Sequence, residues 1–208
     1  MDTSKLKTFA QYARRNLIEQ VSSKLTRVLA KDSPARRENP KAVDELERQI
    51  KANSKEQVIE KIAYIWFNRF CAFRFMDINS YTSIGVLSPV SDQTQPEILA
   101  EAKMGVMDEA IIPKETQRKV TQLLNGTTPS NDPQNEAYRS LIVAVCNYYN
   151  KAMPFLFERI ADYTELLMPD DLLSGKSILA YTREALTPDM CEDVEVIGWL
   201  YQFYISEK

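Results

Sequence analysis

The chain has 208 residues, enough for one substantial hydrophobic core or two small ones. Its apolar content of 44% and charged content of 26% are ordinary for a globular protein, and its net charge of −3 excludes a general attraction to polyanions. It contains no histidine, which excludes Ser-His-Asp and Cys-His nucleophilic pairs and the usual zinc and iron ligand sets.

The first half of the chain has the spacing of helices. Residues 3–30 place apolar side chains three and four positions apart, which predicts one long amphipathic helix. Residues 31–41 contain two prolines and predict a loop, after which Asn39-Pro40 predicts the start of a short helix. Ser54 begins a capping-box pattern before residues 55–77, the most hydrophobic segment, which we expect to be the central buried helix.

The second half is divided by prolines and capping residues into shorter elements. The predicted elements are an irregular crossing over 78–95 and helices over 96–104, 113–124, 132–151, 154–167, 175–186 and 187–204. No segment has the alternation of a strand. The predicted fold class is therefore all-α, a compact bundle-like domain of roughly eight to ten helices.

Cysteine usage and the absence of long apolar runs indicate a cytoplasmic protein. The three cysteines are far apart, and Cys71 and Cys146 lie in apolar surroundings typical of small core residues in a reducing compartment. The longest apolar runs, 62–67 and 141–146, are too short to cross a bilayer, and the first residues contain no apolar signal segment. We expect no membrane association.

Positive charge is concentrated at the front of the chain. Residues 1–41 carry ten Lys or Arg and four acidic residues, a net charge of +6 that leaves −9 for the rest. This asymmetry is typical of an arm that contacts a polyanion, and phosphate contacts need only positioned Lys or Arg. The candidate nucleic-acid-binding residues are Lys5, Lys7, Arg14, Arg15, Arg36 and Arg37 at the front, and Lys114, Arg118 and Lys119 further on. Solvated surface charge is the alternative for each of them.

Charged residues also interrupt the most apolar segment. Arg69 and Arg74 lie within residues 55–77, and Asp77 follows three positions after Arg74. A charge on a buried helix is costly unless it is paired, so these three residues predict a buried ion network, with a ligand or phosphate site as the alternative. The acidic residues at 170–171 and 189–195 are better explained as solvated helix starts than as a metal site.

The aromatic residues near position 200 suggest an interface. Residues 197–208 are densely apolar and include Trp199, Tyr201, Phe203 and Tyr204, which we expect to form a domain junction. On this interpretation residues 1–208 are the helical front domain of a longer protein.

Several strings resemble one known family. They are Trp66-Phe67-Asn68-Arg69-Phe70-Cys71 within 64–76, Gly85-Val86-Leu87-Ser88-Pro89, residues 162–173, and Gly198-Trp199-Leu200-Tyr201-Gln202-Phe203-Tyr204-Ile205-Ser206-Glu207-Lys208. In order and spacing they are similar to the N-terminal region of the PglX family, the adenine-specific DNA methyltransferases of BREX phage-defence systems. The resemblance spans essentially the whole chain.

The resemblance implies a parent enzyme that methylates N6 of adenine in DNA with S-adenosylmethionine. The family's cofactor-binding and catalytic motifs lie beyond residue 208, so the resemblance implies no catalytic, cofactor-binding or metal-binding residue in this segment. Two functions stay open. The segment either binds and positions duplex DNA, or it docks to the downstream methyltransferase domain, to other BREX proteins or to a phage DNA-mimic inhibitor. An autonomous enzyme is disfavoured.

Overall fold

The structure, a computed structural model, describes residues 3–157 and 162–206. All regular secondary structure in these residues is helical. The helices are α1 (Thr3–Leu29), α2 (Pro34–Glu38), α3 (Pro40–Ala52), α4 (Lys55–Ile78), α5 (Glu97–Lys103), α6 (Lys114–Leu124), α7 (Pro133–Tyr149), α8 (Asp162–Leu166), α9 (Ile178–Ala185) and α10 (Glu195–Ile205). A 3₁₀ turn covers Asp189–Cys191. The all-α prediction is confirmed.

The central helix is α4, as its sequence predicts. The Ser54 hydroxyl accepts the Gln57 N–H at 3.2 Å and caps the first turn. Large side chains such as Ile62, Trp66 and Phe73 are fully buried, on a helix that is apolar over most of its circumference. Such a helix is stable only when neighbours cover it on several sides.

The long helix α1 forms the second wall of the core. Its apolar stripe, represented by Leu6, Ala13, Leu17 and Leu25, has no solvent exposure and packs against α4, α9 and α10. Within this core the ring of Phe67 stacks on that of Tyr204 of α10, with centroids 4.4 Å apart. The last helix is therefore an integral part of the fold.

A second group of helices completes the domain. Helix α6 packs along α7, and α5 contacts both. Gly126 ends the segment after α6 with a φ of +71°, a left-handed conformation that glycine adopts without strain. The Tyr138 hydroxyl on α7 donates to the Val86 carbonyl at 2.8 Å, which joins this group to the irregular crossing before α5.

Three local predictions are wrong or incomplete. The predicted loop 31–41 contains α2, because the Ser33 hydroxyl accepts the Arg36 N–H and Pro34 occupies the first helical position. Thr187-Pro188 starts only the 3₁₀ turn, and the Asp193 carboxylate accepts the Glu195 N–H, where α10 begins. The prediction of one helix over 154–167 is incomplete, because only α8, Asp162–Leu166, is helical among its described residues, and residues 154–156 form turns. Residues 158–161 lie outside the described part.

Candidate nucleic-acid interface

Arg14 is an interior residue, which corrects its place among the candidate phosphate contacts. It is 7% exposed, and its guanidinium donates to the Glu60 carboxylate at 3.0 Å. The same guanidinium lies 5.5 Å from the ring centroid of Tyr204. The side chain therefore joins α1, α4 and α10, and a phosphate has no direct approach to it.

The other basic residues of α1 are distributed over its length. Lys5 and Lys7 are exposed near the first turn, and Arg15 is exposed midway. Lys5 borders an open groove of about 590 Å³, in which the rings of Tyr12 and Tyr181 lie 4.7 Å apart. All three of these cations are at the surface.

Arg36 and Arg37 are neighbours with different roles. Arg36 donates to the Glu47 carboxylate at 2.6 Å and to the carbonyls of Leu29 and Ala30, so it holds α2 between α1 and α3. Arg37 is exposed. Of the two, Arg37 is the one available to a ligand.

One carboxylate gathers three cations, an arrangement that sequence reasoning missed. Asp170 accepts from Lys24 at 2.7 Å, from Arg27 at 2.6 Å and from Arg139 on α7. Lys24 also donates to the Met168 carbonyl. Because these residues are far apart in the sequence, spacing alone gives no signal for this cluster, which ties α1, α7 and the segment after α8 together.

The charges of this cluster perturb one another. Partial burial would raise the pKa of Asp170, but the hydrogen bonds and charges of Lys24, Arg27 and Arg139 outweigh it and lower that pKa to about 2. Burial, together with the charge of Arg139, lowers the pKa of Lys24 to about 8 despite its bond to Asp170. The cluster itself holds three cations against one carboxylate.

A cleft of about 290 Å³ lies beside this cluster and brings two basic segments together. Lys24 and Arg139 line it, as do Ala35 and Glu38 of α2, and Lys119 of α6. Glu136 and Glu165 also line it, so its walls carry three cations and three carboxylates. Further exposed cations lie on the segment around α2 and on α6, both of which contribute walls to the cleft.

Exposed cations lie on both of these segments, and of them Lys119 is among the residues that line the cleft. One segment is the α2 turn, which we define as residues 31–41, with Lys31, Arg37 and Lys41. The other segment is α6, where Arg118 and Lys119 are exposed. Lys114, at the start of α6, is exposed too and lies 3.5 Å from the Glu109 carboxylate.

The predicted buried network is built differently from the prediction. Arg74 donates to the Ser88 hydroxyl at 2.7 Å, and that hydroxyl donates to Asp77 at 2.9 Å, so Ser88 connects the two charges. Arg69 is buried elsewhere on α4, with its guanidinium 5.0 Å from the ring centroid of Trp66. The structure thus brings Arg74 and Asp77 together, and Arg69 belongs to a separate environment.

Asp77 organises the crossing that follows α4. Its carboxylate accepts the N–H groups of Val86, Leu87 and Ser88 and the hydroxyl of Thr82, at 2.8 to 3.0 Å. A carboxylate that satisfies successive backbone N–H groups fixes a segment that has no helical bonds of its own. The role of this residue is therefore structural.

The aromatic residues of α10 fall on two faces. Tyr204 is buried against Phe67, whereas Tyr201 is 49% exposed. Trp199 and Phe203 are half-buried and stack on each other with centroids 5.8 Å apart. Of the four residues of the predicted junction, Trp199, Tyr201 and Phe203 therefore keep solvent exposure, whereas Tyr204 is part of the core.

The three cysteines are buried thiols, which confirms the core assignment of Cys71 and Cys146. Burial raises the pKa of Cys146 to about 12 and that of Cys191 to about 11.

Within residues 3–157 and 162–206 no three potential metal ligands among His, Cys, Asp and Glu converge. In the same residues no helix combines the length and apolar content needed to cross a membrane.

Comparison with known proteins gives two close relatives. The chain is 34% identical to the adenine-specific methyltransferase BrxX of Escherichia coli O9:H4 (strain HS), over the whole chain and 19% of that protein. It is 31% identical to the adenine-specific methyltransferase PglX of Lacticaseibacillus casei (strain Zhang), over the whole chain and 20% of that protein. The chain is a homologue of a segment of these methyltransferases.

This homology confirms the resemblance to the adenine-specific methyltransferases of BREX systems. The chain spans about a fifth of the length of the two relatives it matches. No protein-family model matches it.

Proposed function

We propose that this chain is the N-terminal region of an S-adenosylmethionine-dependent N6-adenine DNA methyltransferase of a BREX phage-defence system, and that it helps to bind or position duplex DNA. Whole-chain identity of 34% and 31% to two adenine-specific methyltransferases supports the first part. On this proposal S-adenosylmethionine and the methyl-transfer step belong to a catalytic domain outside these residues.

The observation that carries DNA contact is the cleft between the α2 turn and α6. It places Lys119 beside Ala35 and Glu38, so two basic segments that are distant in sequence flank one depression. Sugar-phosphate backbones are held by such positioned Lys and Arg side chains without base contacts. The proposed contacts are Lys31, Arg37, Lys41, Arg118 and Lys119.

The exposed cations at the start of α1 belong to a second region. Helix α1 has 27 residues and is about 40 Å long at 1.5 Å per residue. Lys5 and Lys7 are therefore separated from the α2 turn by about one turn of B-form DNA. They would contact only a duplex that runs along α1. The surface formed by the α2 turn and α6 is therefore the primary proposed site.

The test is a charge-reversal experiment on the 208-residue protein with a labelled duplex, measured by fluorescence anisotropy at low salt. In Arg37→Glu/Lys119→Glu we expect affinity to fall at least about tenfold, because two phosphate contacts become repulsive. The matched control, Lys55→Glu/Lys151→Glu, changes the net charge equally at two exposed lysines away from the cleft. Equal losses in both variants would show a general charge effect and contradict the proposed surface.

A docking surface on α10 is the second candidate function. Its basis is the apolar surface of α10, which exposes Tyr201 and Ile205 at 49% and 37% on one side of the helix and carries the half-buried, stacked pair of Trp199 and Phe203 on another side. Apolar side chains grouped at a surface are typical of interfaces. Its partner would be the downstream methyltransferase domain, another BREX protein or a phage DNA-mimic inhibitor. Self-association in sedimentation velocity that Tyr201→Ser abolishes would support this function, and a monomer at high concentration would count against it.

A further inference from the structure

A cavity beside α5 has unusual walls. It has a volume of about 300 Å³ and lies between residues 83–84, helix α5 and the segment 106–112. Its apolar surface comes from side chains that include Ile84, Ile98, Ile111 and Ile112. This volume is at the small end of ligand pockets, so the cavity has room for one large side chain and is too small for a nucleotide cofactor.

All charges that line this cavity are negative. Glu97, Glu101 and Asp108 are among its walls, and no Lys or Arg of the described residues lines it. Glu97 accepts the Gly85 N–H at 2.6 Å, and Asp108 accepts the Ala110 N–H at 2.9 Å. Both carboxylates are thereby fixed in place, while each keeps further acceptor capacity for a cation.

The nearest lysines in sequence are engaged elsewhere. Lys103, on the last turn of α5, donates to the side-chain oxygens of Gln95 and Gln134. Lys114 is near Glu109, which is not among the lining residues. The negative charge of the cavity is therefore not neutralised by these lysines.

The rim of the cavity exposes apolar side chains. Val106 is 57% exposed and Met107 is half-buried, and both line the cavity just after Gly105, whose φ of +81° turns the chain there. Methionine adapts its shape to different partners, and it is frequent on surfaces that bind apolar groups. An apolar rim around an apolar, acidic cavity selects a ligand with an apolar body and a positive end.

We propose that this cavity binds the side chain of an arginine, flanked by apolar residues, on a segment of a partner protein. The aliphatic stem would contact the isoleucine walls, and the guanidinium would donate to Glu101 and Asp108. Arginine suits such a site because its planar head donates several hydrogen bonds to carboxylates while its stem packs against apolar groups. This site does not depend on DNA binding, since its negative charge would repel a phosphate backbone.

The test uses two peptides that differ only in charge. N-acetyl-Leu-Arg-Leu-amide and the same peptide with citrulline in place of arginine are titrated into the ¹³C-methyl-labelled 208-residue protein. We expect the arginine peptide to shift the methyl signals of Ile98 and Ile111 and to bind about tenfold more tightly than the citrulline peptide, the factor that one charge-assisted hydrogen bond supplies. Glu101→Gln/Asp108→Asn should remove that difference.

The control variant is Glu115→Gln, which removes an exposed carboxylate on α6 outside the cavity. It should leave the preference for arginine unchanged. Equal binding of both peptides, shifts at methyl groups elsewhere, or no shift at millimolar peptide would each overturn the proposal. Thermal melting of each variant, monitored by circular dichroism, establishes that the variants are folded.

Discussion

Replacing Asp170 tests whether the three-cation cluster stabilises the fold. In Asp170→Asn the side chain keeps its shape and one acceptor oxygen, but the negative charge that holds Lys24, Arg27 and Arg139 is lost. The two cations with the more enclosed side chains, Lys24 at 14% and Arg139 at 23% exposure, then repel each other without a counter-charge. We expect the variant to be less stable than the parent protein.

The magnitude follows from the pKa of this carboxyl group. Its lowering from 3.8 to about 2 corresponds to about 2.5 kcal/mol at 1.36 kcal/mol per pKa unit. Because the Asp170 side chain is 44% exposed, solvent screening reduces this figure, and we expect a loss of about 1 to 1.5 kcal/mol. Since the folded-state pKa is depressed, this stabilisation is fully present above about pH 4 and is lost as the pH falls towards 2.

The assay is urea unfolding followed by circular dichroism at neutral pH and at pH 3. At pH 3 the difference between Asp170→Asn and the parent should fall to about half its neutral value. The matched control is Asp171→Asn, because the neighbouring carboxylate is exposed and accepts from Ser174 instead of a cation. A neutral-pH loss no larger than that of Asp171→Asn, or a difference independent of pH, would refute the reasoning.

Three further predictions concern other parts of the fold. Arg14→Ala should lower the free energy of unfolding by about 1–3 kcal/mol in urea titrations, because the Glu60 carboxylate loses this partner. The same variant should leave the DNA affinity measured by anisotropy unchanged. Asp77→Ala should cost about 2–4 kcal/mol and speed amide exchange over 82–88, since several N–H groups lose their acceptor. Gly85→Ala should cost about 1–3 kcal/mol, because its Cβ would lie 2.5 Å from a backbone oxygen, whereas Gly198→Ala, with open space around it, should raise the melting temperature.

The parts of the fold that sequence predicted well are those fixed by local rules. The Ser54 cap and the continuous apolar run predicted α4 almost to the residue, because capping and burial are both encoded within that segment. The predicted start of α10 was wrong because it also rested on a local signal alone. Thr187-Pro188 is a good local start signal, but the chain forms a 3₁₀ turn there, in which Cys191 is buried, and α10 begins only at Glu195 and packs on α1.

The candidate site shows the limit of reasoning from local spacing. Arg14 and Lys7 share one side of a helix in projection, yet only the position of α4 shows that Arg14 meets Glu60. Likewise, Asp170 meets Lys24 and Arg27 from more than 140 positions away, and nothing near Lys24 in the sequence indicates its partner. Tertiary contacts, which single-sequence patterns do not encode, decided which basic residues remained at the surface.

The most direct test of DNA contact is the salt dependence of binding. The 208-residue protein is titrated into a labelled duplex by anisotropy over a series of salt concentrations, beside Arg37→Glu/Lys119→Glu. We predict that the logarithm of the association constant falls with the logarithm of salt concentration with a slope of about −3 to −5, one counterion for each proposed contact, and that the slope is shallower by about 2 in the variant. Absence of binding at low salt, or an affinity that does not change with salt, would contradict the proposal that this segment holds DNA.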